Sequence, residues 1–351
     1  MRIISLFSGA GGLDLGFEKA GFETVFANEF DKGVWETYRT NFPKTRLDTR
    51  SIVDIAEAEL PEADGLIGGP PCQSWSEAGA HRGISDQRGQ LFFEYIRILK
   101  HVRPKFFLAE NVSGILSSRH RSAFEAIVER FGKLGYAVQY KMLRASDFGV
   151  AQDRDRVFIV GIRDDLDCKF EFPAPLGASL KLKDVIGGMP KPEANSSLSR
   201  RLDHGELSNH EYLVGGFSPM YMSRNRVRGW GECSFTIQAC ARHAPLHPDA
   251  PRMEKIGEDQ FRFKLGSESR YRRLSVRECA RIQSFPDSFQ FCYQRIIDGY
   301  KMIGNAVPVE LAYHMARQVQ LTIGDRAGDA AANPQVVERT QRQRRHCSRV
   351  V

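Results

Sequence analysis

The sequence predicts an α/β fold built on a doubly wound, mostly parallel sheet. Up to about residue 163, short apolar runs alternate with segments whose apolar residues recur at helical spacing. Such alternation is typical of parallel strands joined by crossover helices. After residue 163 the chain becomes rich in Pro, Gly, Ser and Asn, and clear helical patterns return only near its end. The sequence therefore predicts a catalytic domain interrupted by a smaller, irregular insert.

Each predicted element is a run with one of these two patterns. The strands are 2–7, 24–28, 65–67, 104–109, 137–143 and 157–162. The helices are 13–20, 90–101, 122–134, 275–283 and 308–321. The predicted divisions are 1–165 for the first lobe, 166–272 for the insert, 273–323 for helices returning to the first lobe, and 324–351 for a disordered basic tail.

Composition narrows the class of protein. The chain has 351 residues, of which 42% are hydrophobic and 26% charged, as in soluble globular proteins with an ample core. Its apolar runs are shorter than the roughly 18 residues that a membrane span needs, and the N-terminus lacks a signal-peptide pattern. The seven cysteines are scattered without CxxC spacing. We therefore expect a cytoplasmic protein with no disulfide framework, no membrane association and no metal site.

Positive charge is concentrated in three places. The net charge is +7, and arginines cluster at 224–228, at 270–273 and in the tail at 342–345. Aromatic residues are interleaved with the first two clusters: Tyr221, Trp230, Phe235 and Tyr271. Such a mixture suits contacts to phosphates and bases, so we expect a nucleic-acid partner.

One cysteine is presented in an unusual context. Cys72 follows the apolar pair Leu66-Ile67 and the run Gly68-Gly69-Pro70-Pro71. The glycines allow a sharp turn after a strand and the prolines fix the loop, so the thiol is held at a strand's carboxyl end, where open α/β sheets bind ligands. Cys72 is therefore a candidate nucleophile. A loop cysteine without a role is the alternative.

The first strand–helix turn predicts a cofactor site. Phe7-Ser8-Gly9-Ala10-Gly11-Gly12 is a glycine-rich turn of the kind that lets backbone approach a cofactor. The second strand ends at Glu29, which is placed to accept hydrogen bonds from a ribose, and Phe30 offers a face for adenine. A plain tight turn, a surface acid and a core aromatic are the alternatives.

Charged residues follow two further strands. Glu110, in Glu110-Asn111-Val112, leaves an apolar strand, where an acid is costly to bury, and a functional role is favoured. Arg154 and Arg156 lie two residues apart in an extended segment and are predicted to reach the same sheet edge. A structural salt-bridge cluster is the other interpretation.

In order, these motifs resemble the DNA cytosine-C5 methyltransferase family over roughly residues 1–320. The resemblance rests on FSGAGG, PPCQ, ENV and QDRDR, then on RECARIQ at 277–283 and GNAVP at 304–308. The segment 222–228 looks similar to members of restriction–modification systems that methylate GGCC. The resemblance implies the sheet of S-adenosylmethionine-dependent methyltransferases, with the insert as the DNA-recognition domain.

The resemblance also implies a mechanism. Cys72 would attack C6 of a cytosine flipped out of the duplex. Glu110 would hold N3 and the exocyclic amine of the base, and Arg154 and Arg156 would orient it. S-adenosylmethionine is then the methyl donor, and no metal is required.

The cofactor and recognition residues come from the same resemblance. The implied S-adenosylmethionine pocket consists of Phe7, Gly9, Glu29, Phe30, Ser51, Ile52, Pro71, Leu91, Asn305 and Val307. Ser51 departs from the family pattern, which has an adenine-contacting Asp at this distance before the cysteine; Asp48 and Asp54 flank it. Guanine readers in a GGCC palindrome would be Arg224, Arg226, Arg228 and Arg242, because arginine is the commonest guanine reader in the major groove. Contacts to phosphates alone are the alternative for each arginine.

The resemblance also implies a binding partner and a cellular location. The partner is double-stranded DNA, bound by a monomer in the bacterial cytoplasm at the nucleoid, and a separately acting restriction endonuclease would complete the system. Three rivals stay open: a tRNA cytosine-C5 methyltransferase, a catalytically inactive DNA-binding relative, and a nicotinamide-dependent oxidoreductase. The first should lack the arginine-rich insert, the second should lack Cys72 and Glu110, and the third does not explain the Pro-Pro-Cys loop.

Overall fold

A seven-stranded sheet forms the centre of the molecule. The computed structural model describes residues 1–71, 87–195 and 207–332. The strands are β1 (Arg2–Leu6), β2 (Glu23–Asn28), β3 (Arg46–Asp48), β4 (Gly65–Gly68), β5 (Phe106–Val112), β6 (Tyr136–Arg144) and β7 (Asp155–Arg163). Their order is β3-β2-β1-β4-β5-β7-β6. Neighbours from β3 to β5 pair in parallel, whereas β7 is antiparallel to both β5 and β6. The predicted doubly wound, mostly parallel sheet is confirmed.

Helices cover the sheet on both faces. In chain order they are α1 (Gly12–Lys19), α2 (Trp35–Asn41), α3 (Gln87–Val102), α4 (Arg121–Lys133), α5 (Leu182–Ile186), α6 (Val276–Ile282), α7 (Ile296–Asn305) and α8 (Val309–Ala332). One core cluster joins α1 and α8 to the sheet through Phe17, Phe106 and Met315, and another joins α3 and α4 through Phe92 and Phe131. Because apolar side chains lie on both faces, the central strands are continuous apolar runs.

The insert is irregular and is anchored to the first lobe. It contains α5 and two small sheets, one of β8 (Glu193–Asn195) with β9 (Glu211–Leu213) and one of β10 (Glu254–Gly257) with β11 (Gln260–Arg262). Its outer part has a small core of its own around Tyr221, Val227 and Leu246. Its inner residues Leu213 and Ile237 pack in the same cluster as α6 and α7.

Outside the insert, three elements were absent from the prediction, and one helix is longer than predicted. The sequence pattern missed β3, α2 and α7, which are short or amphipathic over few turns. The last helix, α8, continues to Ala332, past the predicted boundary at residue 323. Alanine, the strongest helix former, is frequent in this extension, and its propensity outweighs the lack of apolar periodicity. The rest of the predicted tail, 333–351, lies outside the described residues, and the domain boundaries stay predictions.

Candidate active site

A cavity of about 420 Å³ lies at the carboxyl ends of β1, β2, β4 and β5. This is the edge at which open α/β sheets bind ligands. The predicted cofactor residues that line it are Phe7, Gly9, Glu29, Pro71, Asn305 and Val307. The last two come from the end of α7 and the turn between α7 and α8, so the returning segment closes the cavity opposite the glycine turn.

The glycine turn has a conformation that its sequence makes possible. Gly9 and Gly11 have positive φ angles of 55° and 87°, and the non-glycine Phe7 also has a φ of 55°. A Cβ on Gly11 would lie 2.2 Å from the ring of Phe42, and one on Gly12 would lie 2.4 Å from the carbonyl oxygen of Val307. The two glycines therefore permit the close approach between the turn, α2 and the segment after α7.

Glu29 is fixed at the cavity wall by backbone donors. Its Oε2 accepts a hydrogen bond from the N–H of Gly9 at 2.8 Å, and its Oε1 accepts one from the N–H of Asp31 at 2.7 Å. Burial nevertheless raises the pKa of Glu29. A carboxylate accepts about four hydrogen bonds in all, so Glu29 retains capacity for two hydroxyl groups of a ligand. The neighbouring Phe30 is 70% exposed and does not line the cavity of the described residues.

Ser51, Ile52 and Leu91 also lie outside the cavity lining. Ile52 is 2% exposed and packs in the core beneath α3, where its carbonyl oxygen accepts a hydrogen bond from Nη2 of Arg97. Leu91 is partly buried against the same core. Contact of Ile52 with the cofactor stays a prediction; in this structure its side chain packs in the core. Asp48, one of the acids flanking Ser51, is paired with Arg50.

The segment before Cys72 is held close to Glu110. Nδ2 of Asn111 donates a hydrogen bond to the carbonyl oxygen of Pro70 at 2.9 Å. A Cβ on Gly69 would lie 3.4 Å from Oε2 of Glu110. The structure thus places the Gly-Gly-Pro-Pro segment beside Glu110 as far as Pro71. Cys72 itself lies outside the described residues.

Glu110 forms a buried ion pair with Arg156. Oε1 of Glu110 lies 2.8 Å from Nε of Arg156, and the two side chains are 12% and 13% exposed. Burial raises the pKa of Glu110, and the nearby positive charges of Arg156 and Arg154 oppose the rise. The carboxyl group is thus oriented at the cavity wall and binds a proton more readily than an exposed glutamate.

Arg154 does not point towards this edge. It is 1% exposed and donates hydrogen bonds to the carbonyl oxygens of Ile237, Gly304 and Ala306 at 2.9, 2.8 and 3.1 Å. It therefore joins the first lobe to the insert and to the end of α7. The base-orienting role of Arg154 stays a prediction; in this structure both of its terminal nitrogens are engaged in this junction.

The predicted recognition arginines differ in their surroundings. Arg224 and Arg242 are exposed and form no ion pair within the described part of the chain. Arg226 is 8% exposed, packs over the ring of Tyr221 and donates from Nε and Nη2 to the carbonyl oxygens of Tyr221 and Met220. Its Nη1 makes no hydrogen bond to the described residues, and its side chain lines a recess together with Arg224.

Arg228, by contrast, is bound by acidic side chains of the protein. Its guanidinium pairs with Asp153 at 3.1 Å and with Glu232 at 3.2 Å, and it lies 4.2 Å above the ring of Phe235. Both terminal nitrogens are therefore engaged by acids of the protein. The prediction that Arg228 reads a base is not supported, since it bridges the insert to the first lobe.

Comparison with known proteins identifies the family of this chain. A family model described as C-5 cytosine-specific DNA methylase matches residues 1–321. The chain belongs to this family. Among its relatives, the type II methyltransferase M.NgoPII of Neisseria gonorrhoeae is 55% identical over 328 residues, which cover 92% of this chain and 96% of the relative. The type II methyltransferase M.FnuDI of Fusobacterium nucleatum is 54% identical, over 93% and 96% of the two chains.

A solved structure supports the fold of the methylase. The structure of Spodoptera frugiperda DNMT2 superposes with a TM-score of 0.68 at 19% identity, and the match covers 91% of this chain and 99% of that one. At this identity the likeness shows the fold alone. The family assignment confirms the resemblance carried by the motifs and makes the chain a DNA cytosine-C5 methyltransferase, with S-adenosylmethionine as the donor implied for the family.

The cavity fits a ligand with a cationic, polar end. Three polar atoms of lining residues are buried and form no hydrogen bond to the described part of the chain: Oγ of Ser5, Oγ of Ser8 and Oδ2 of Asp14. Burial raises the pKa of Asp14 to about 6, although the hydroxyl of Tyr38 donates to its Oδ1 at 2.7 Å. Unpaired buried polar groups are costly, so a ligand that pairs them is favoured. S-adenosylmethionine carries positive charge on its sulfonium and ammonium groups, and either group would be a suitable partner for the Asp14 carboxylate.

Asn111 and Asp14 line the cavity but were not among the predicted site residues. Asn111 stands in the Glu110-Asn111-Val112 run, next to a predicted residue, and an amide after an apolar strand was the available signal. Asp14 lies among Leu13 and Phe17 on the buried face of α1. An acid on the apolar side of a helix is a signal of function that periodicity alone does not register.

Metal clusters and membrane spans are both absent from the part of the chain that the structure describes. Its residues contain no cluster of three or more His, Cys, Asp or Glu side chains arranged to hold a metal ion. None of the helices in the described ranges has the length and apolarity to cross a bilayer.

Proposed function

We propose that this methylase transfers a methyl group to C5 of a flipped cytosine in the palindrome GGCC, through a covalent adduct between Cys72 and C6. The proposal combines the family assignment with the similarity of segment 222–228 to GGCC-specific members. Type II methyltransferases are named among its relatives, which supports a role in protecting DNA within a restriction–modification system. We further propose action as a monomer on DNA in the bacterial cytoplasm, at the nucleoid, with a separately acting endonuclease.

The observation that carries the mechanism is the position of Glu110. Its carboxyl group lies beside Gly69, three residues before Cys72, and Asn111 binds the carbonyl oxygen of Pro70. A base held by Glu110 would therefore lie within reach of the loop that carries the thiol. Arg156 would keep the carboxyl group in a single orientation, since it pairs with Oε1 and leaves Oε2 on the side of Gly69.

In the proposed reaction Cys72 is the nucleophile and Glu110 is the acid. A bond forms between the Cys72 thiolate and C6 while Glu110 delivers its proton to N3, which turns C5 into a nucleophile. S-adenosylmethionine would supply the methyl group to C5 from its sulfonium centre and would be released as S-adenosylhomocysteine. Once C5 is methylated, a base removes the C5 proton, the sulfur–C6 bond breaks, and the N3 proton returns to Glu110. Cys72 leaves as the thiolate.

Base recognition is assigned to Arg224 and Arg226. Arg224 is exposed, and Arg226 is held over Tyr221 with its Nη1 unbonded among the described residues, so both could reach guanine edges from the same recess. Replacing Arg224 with Ala should weaken binding to GGCC by about 1–3 kcal/mol, so that methylation of GGCC falls and the preference at one base pair is relaxed. A uniform reduction over all altered sites would contradict base reading.

The experiment that tests the function is methylation of plasmid DNA by the purified protein and S-adenosylmethionine, followed by bisulfite sequencing. We expect 5-methylcytosine at one cytosine of each GGCC strand. The variant Cys72→Ser should bind the same DNA and S-adenosylmethionine but produce no 5-methylcytosine. Methylation at a different sequence would contradict the GGCC assignment alone, whereas turnover by the Cys72→Ser variant would contradict the covalent mechanism.

A further inference from the structure

A short loop of the insert, which starts at the buried end of β9 and is exposed at residues 214–216 and 218, borders a recess outside the cofactor cavity. The loop comprises residues 213–218 and, with Arg242 and Arg273, lines a recess of about 440 Å³. At Gly215 and Gly216 a Cβ would meet no atom within 4 Å, so the space above both glycines is open. None of the described residues that line this recess is acidic.

The carbonyl oxygens of the loop are turned towards Arg273. Nη1 of Arg273 donates to the carbonyl oxygens of Leu213 and Gly215 at 3.3 and 3.1 Å, and Nη2 donates to that of Gly216 at 2.8 Å. The guanidinium also lies 4.1 Å from the centre of the Phe217 ring. Arg273 is 2% exposed, and no carboxylate among the described residues pairs with it. Its positive charge is therefore buried behind the loop without an anion from that part of the chain.

The last four amide groups of the same loop have no acceptor among the described residues. The backbone N–H groups of residues 215–218 donate no hydrogen bond within the described part of the protein. Successive free amide groups around a concave surface form an anion-binding arrangement, and the buried charge of Arg273 behind them adds to the positive potential.

Arg242 adds an exposed cation at the rim of the recess. No acid of the described ranges pairs with it. Burial and the positive charges of Arg226, Arg224 and Arg273 lower the pKa of His243, the residue next to Arg242, so these side chains share one positive field. Burial and the charge of Arg242 likewise lower the pKa of Arg273. The recess thus adjoins the arginines assigned to base reading.

We propose that the loop 213–218 and Arg242 bind a phosphate of the DNA backbone, with Arg273 as the positioning residue that holds the loop. A phosphate would receive the free amide N–H groups and the Arg242 guanidinium, and its charge would offset that of Arg273. This reassigns Arg242 from base reading to phosphate binding. The proposal rests on duplex DNA as the substrate and is independent of the GGCC sequence and of the covalent mechanism.

The test is the salt dependence of binding to two fluorescent duplexes, one with GGCC and one without, for the full chain with S-adenosylhomocysteine present. For Arg242→Ala we expect the slope of log K against log salt concentration to become less negative by about 0.9, which at 0.1 M salt is about an eightfold loss of affinity on both duplexes. An unchanged slope with a loss confined to the GGCC duplex would overturn the proposal in favour of base reading.

Gly216→Ala tests the loop itself. The added methyl group meets no protein atom but occupies the space proposed for the phosphate, so we expect weaker binding to both duplexes and an unchanged melting temperature. Gly132→Ala is the matched control, because its Cβ is equally free on the outer helix α4. Equal affinities of the two alanine variants would overturn the role of the loop. Activity at another sequence, or its absence, would bear on the proposed function and leave this result unaffected.

Discussion

The carboxylate of Glu110 and the guanidinium of Arg156 meet across two antiparallel strands at the mouth of the cofactor cavity. Nε and Oε1 are 2.8 Å apart. In the strand register Arg156 faces Val112, two residues beyond Glu110, so the pair is a diagonal one on a single face of the sheet. Because both groups are largely buried, the arginine fixes the orientation of the carboxyl group, while burial raises its pKa. Orientation and proton affinity are both properties that a general acid requires.

Glu110→Gln should remove the acid from the site. Glutamine has almost the same size but cannot deliver a proton to N3, so kcat should fall by about 10²- to 10⁴-fold while DNA affinity changes little. The wild-type rate should fall as pH rises through the raised pKa of Glu110, because the acid form is the active one, and this limb should be absent in the variant. Glu125→Gln, at an exposed ion pair on α4, is the control. A kcat within about threefold of wild type would exclude Glu110 as the acid.

The sequence predicted most of the residues that line the cavity, because the positions of strand ends follow from the topology of the sheet. Strands that are parallel and adjacent end at one edge, so Gly9, Glu29 and the Pro-Pro segment had to converge once the strand pattern was recognised. Asn305 and Val307 could be placed there only through the family motif, since no local pattern links residues so distant to the first turn.

The sequence did not predict the separation of Arg154 from Arg156. A spacing of two residues puts side chains on one face only inside a regular strand. Here β7 begins at Asp155, and the preceding backbone bonds to Ser234 of the insert, with the N–H of Asp153 donating to the carbonyl oxygen of Ser234. Arg154 is thereby turned inwards. This depends on a contact with a residue 80 positions later in the chain, which spacing does not reveal.

Arg154 should therefore matter for stability. Replacing it with Met leaves the carbonyl oxygens of Ile237, Gly304 and Ala306 without their donor, and each buried orphan costs about 1–3 kcal/mol. We expect the free energy of unfolding in urea to fall by about 3 kcal/mol or more. Arg144→Met, at an exposed pair with Asp155, should cost less than about 1 kcal/mol. Equal losses in the two variants would contradict the role of Arg154 as a junction.

Asn111 should control the geometry of the Cys72 loop. In Asn111→Ala the carbonyl oxygen of Pro70 loses its donor, so the loop should lose its fixed position. A displacement of about 1 Å costs about 10²-fold in rate, and we expect kcat to fall by that order with S-adenosylmethionine affinity maintained. The rate of Cys72 alkylation, measured by mass spectrometry, provides a second readout, and we expect it to differ between the variant and the wild type. If kcat and alkylation both equal those of wild type, the hydrogen bond has no positioning role.

Asp14 should affect stability and cofactor binding in opposite directions. The pKa of this carboxyl group is about 6 in the folded chain against 3.8 for an ordinary aspartate, so between these values the folded protein holds a proton that the unfolded chain has lost. Stability should therefore decrease as pH rises from about 4 to 6 and stay lower above it. One pKa unit corresponds to about 1.4 kcal/mol, which gives a loss of about 3 kcal/mol at pH 8.

Asp14→Asn removes this loss and keeps the acceptor for the Tyr38 hydroxyl. At about pH 8 we expect the variant to unfold at higher urea concentration than the wild type, with the difference disappearing near about pH 4. Burial and then the charge of Asp14 raise the pKa of Glu18 to about 7. The second of these effects is lost in the variant, which adds to its gain in stability at about pH 8. The same variant should bind S-adenosylmethionine about tenfold more weakly by calorimetry, or about 1.4 kcal/mol, because the cationic ligand loses its charged partner. A variant that is more stable yet binds the donor equally well would show that Asp14 is buried for a reason other than the cofactor.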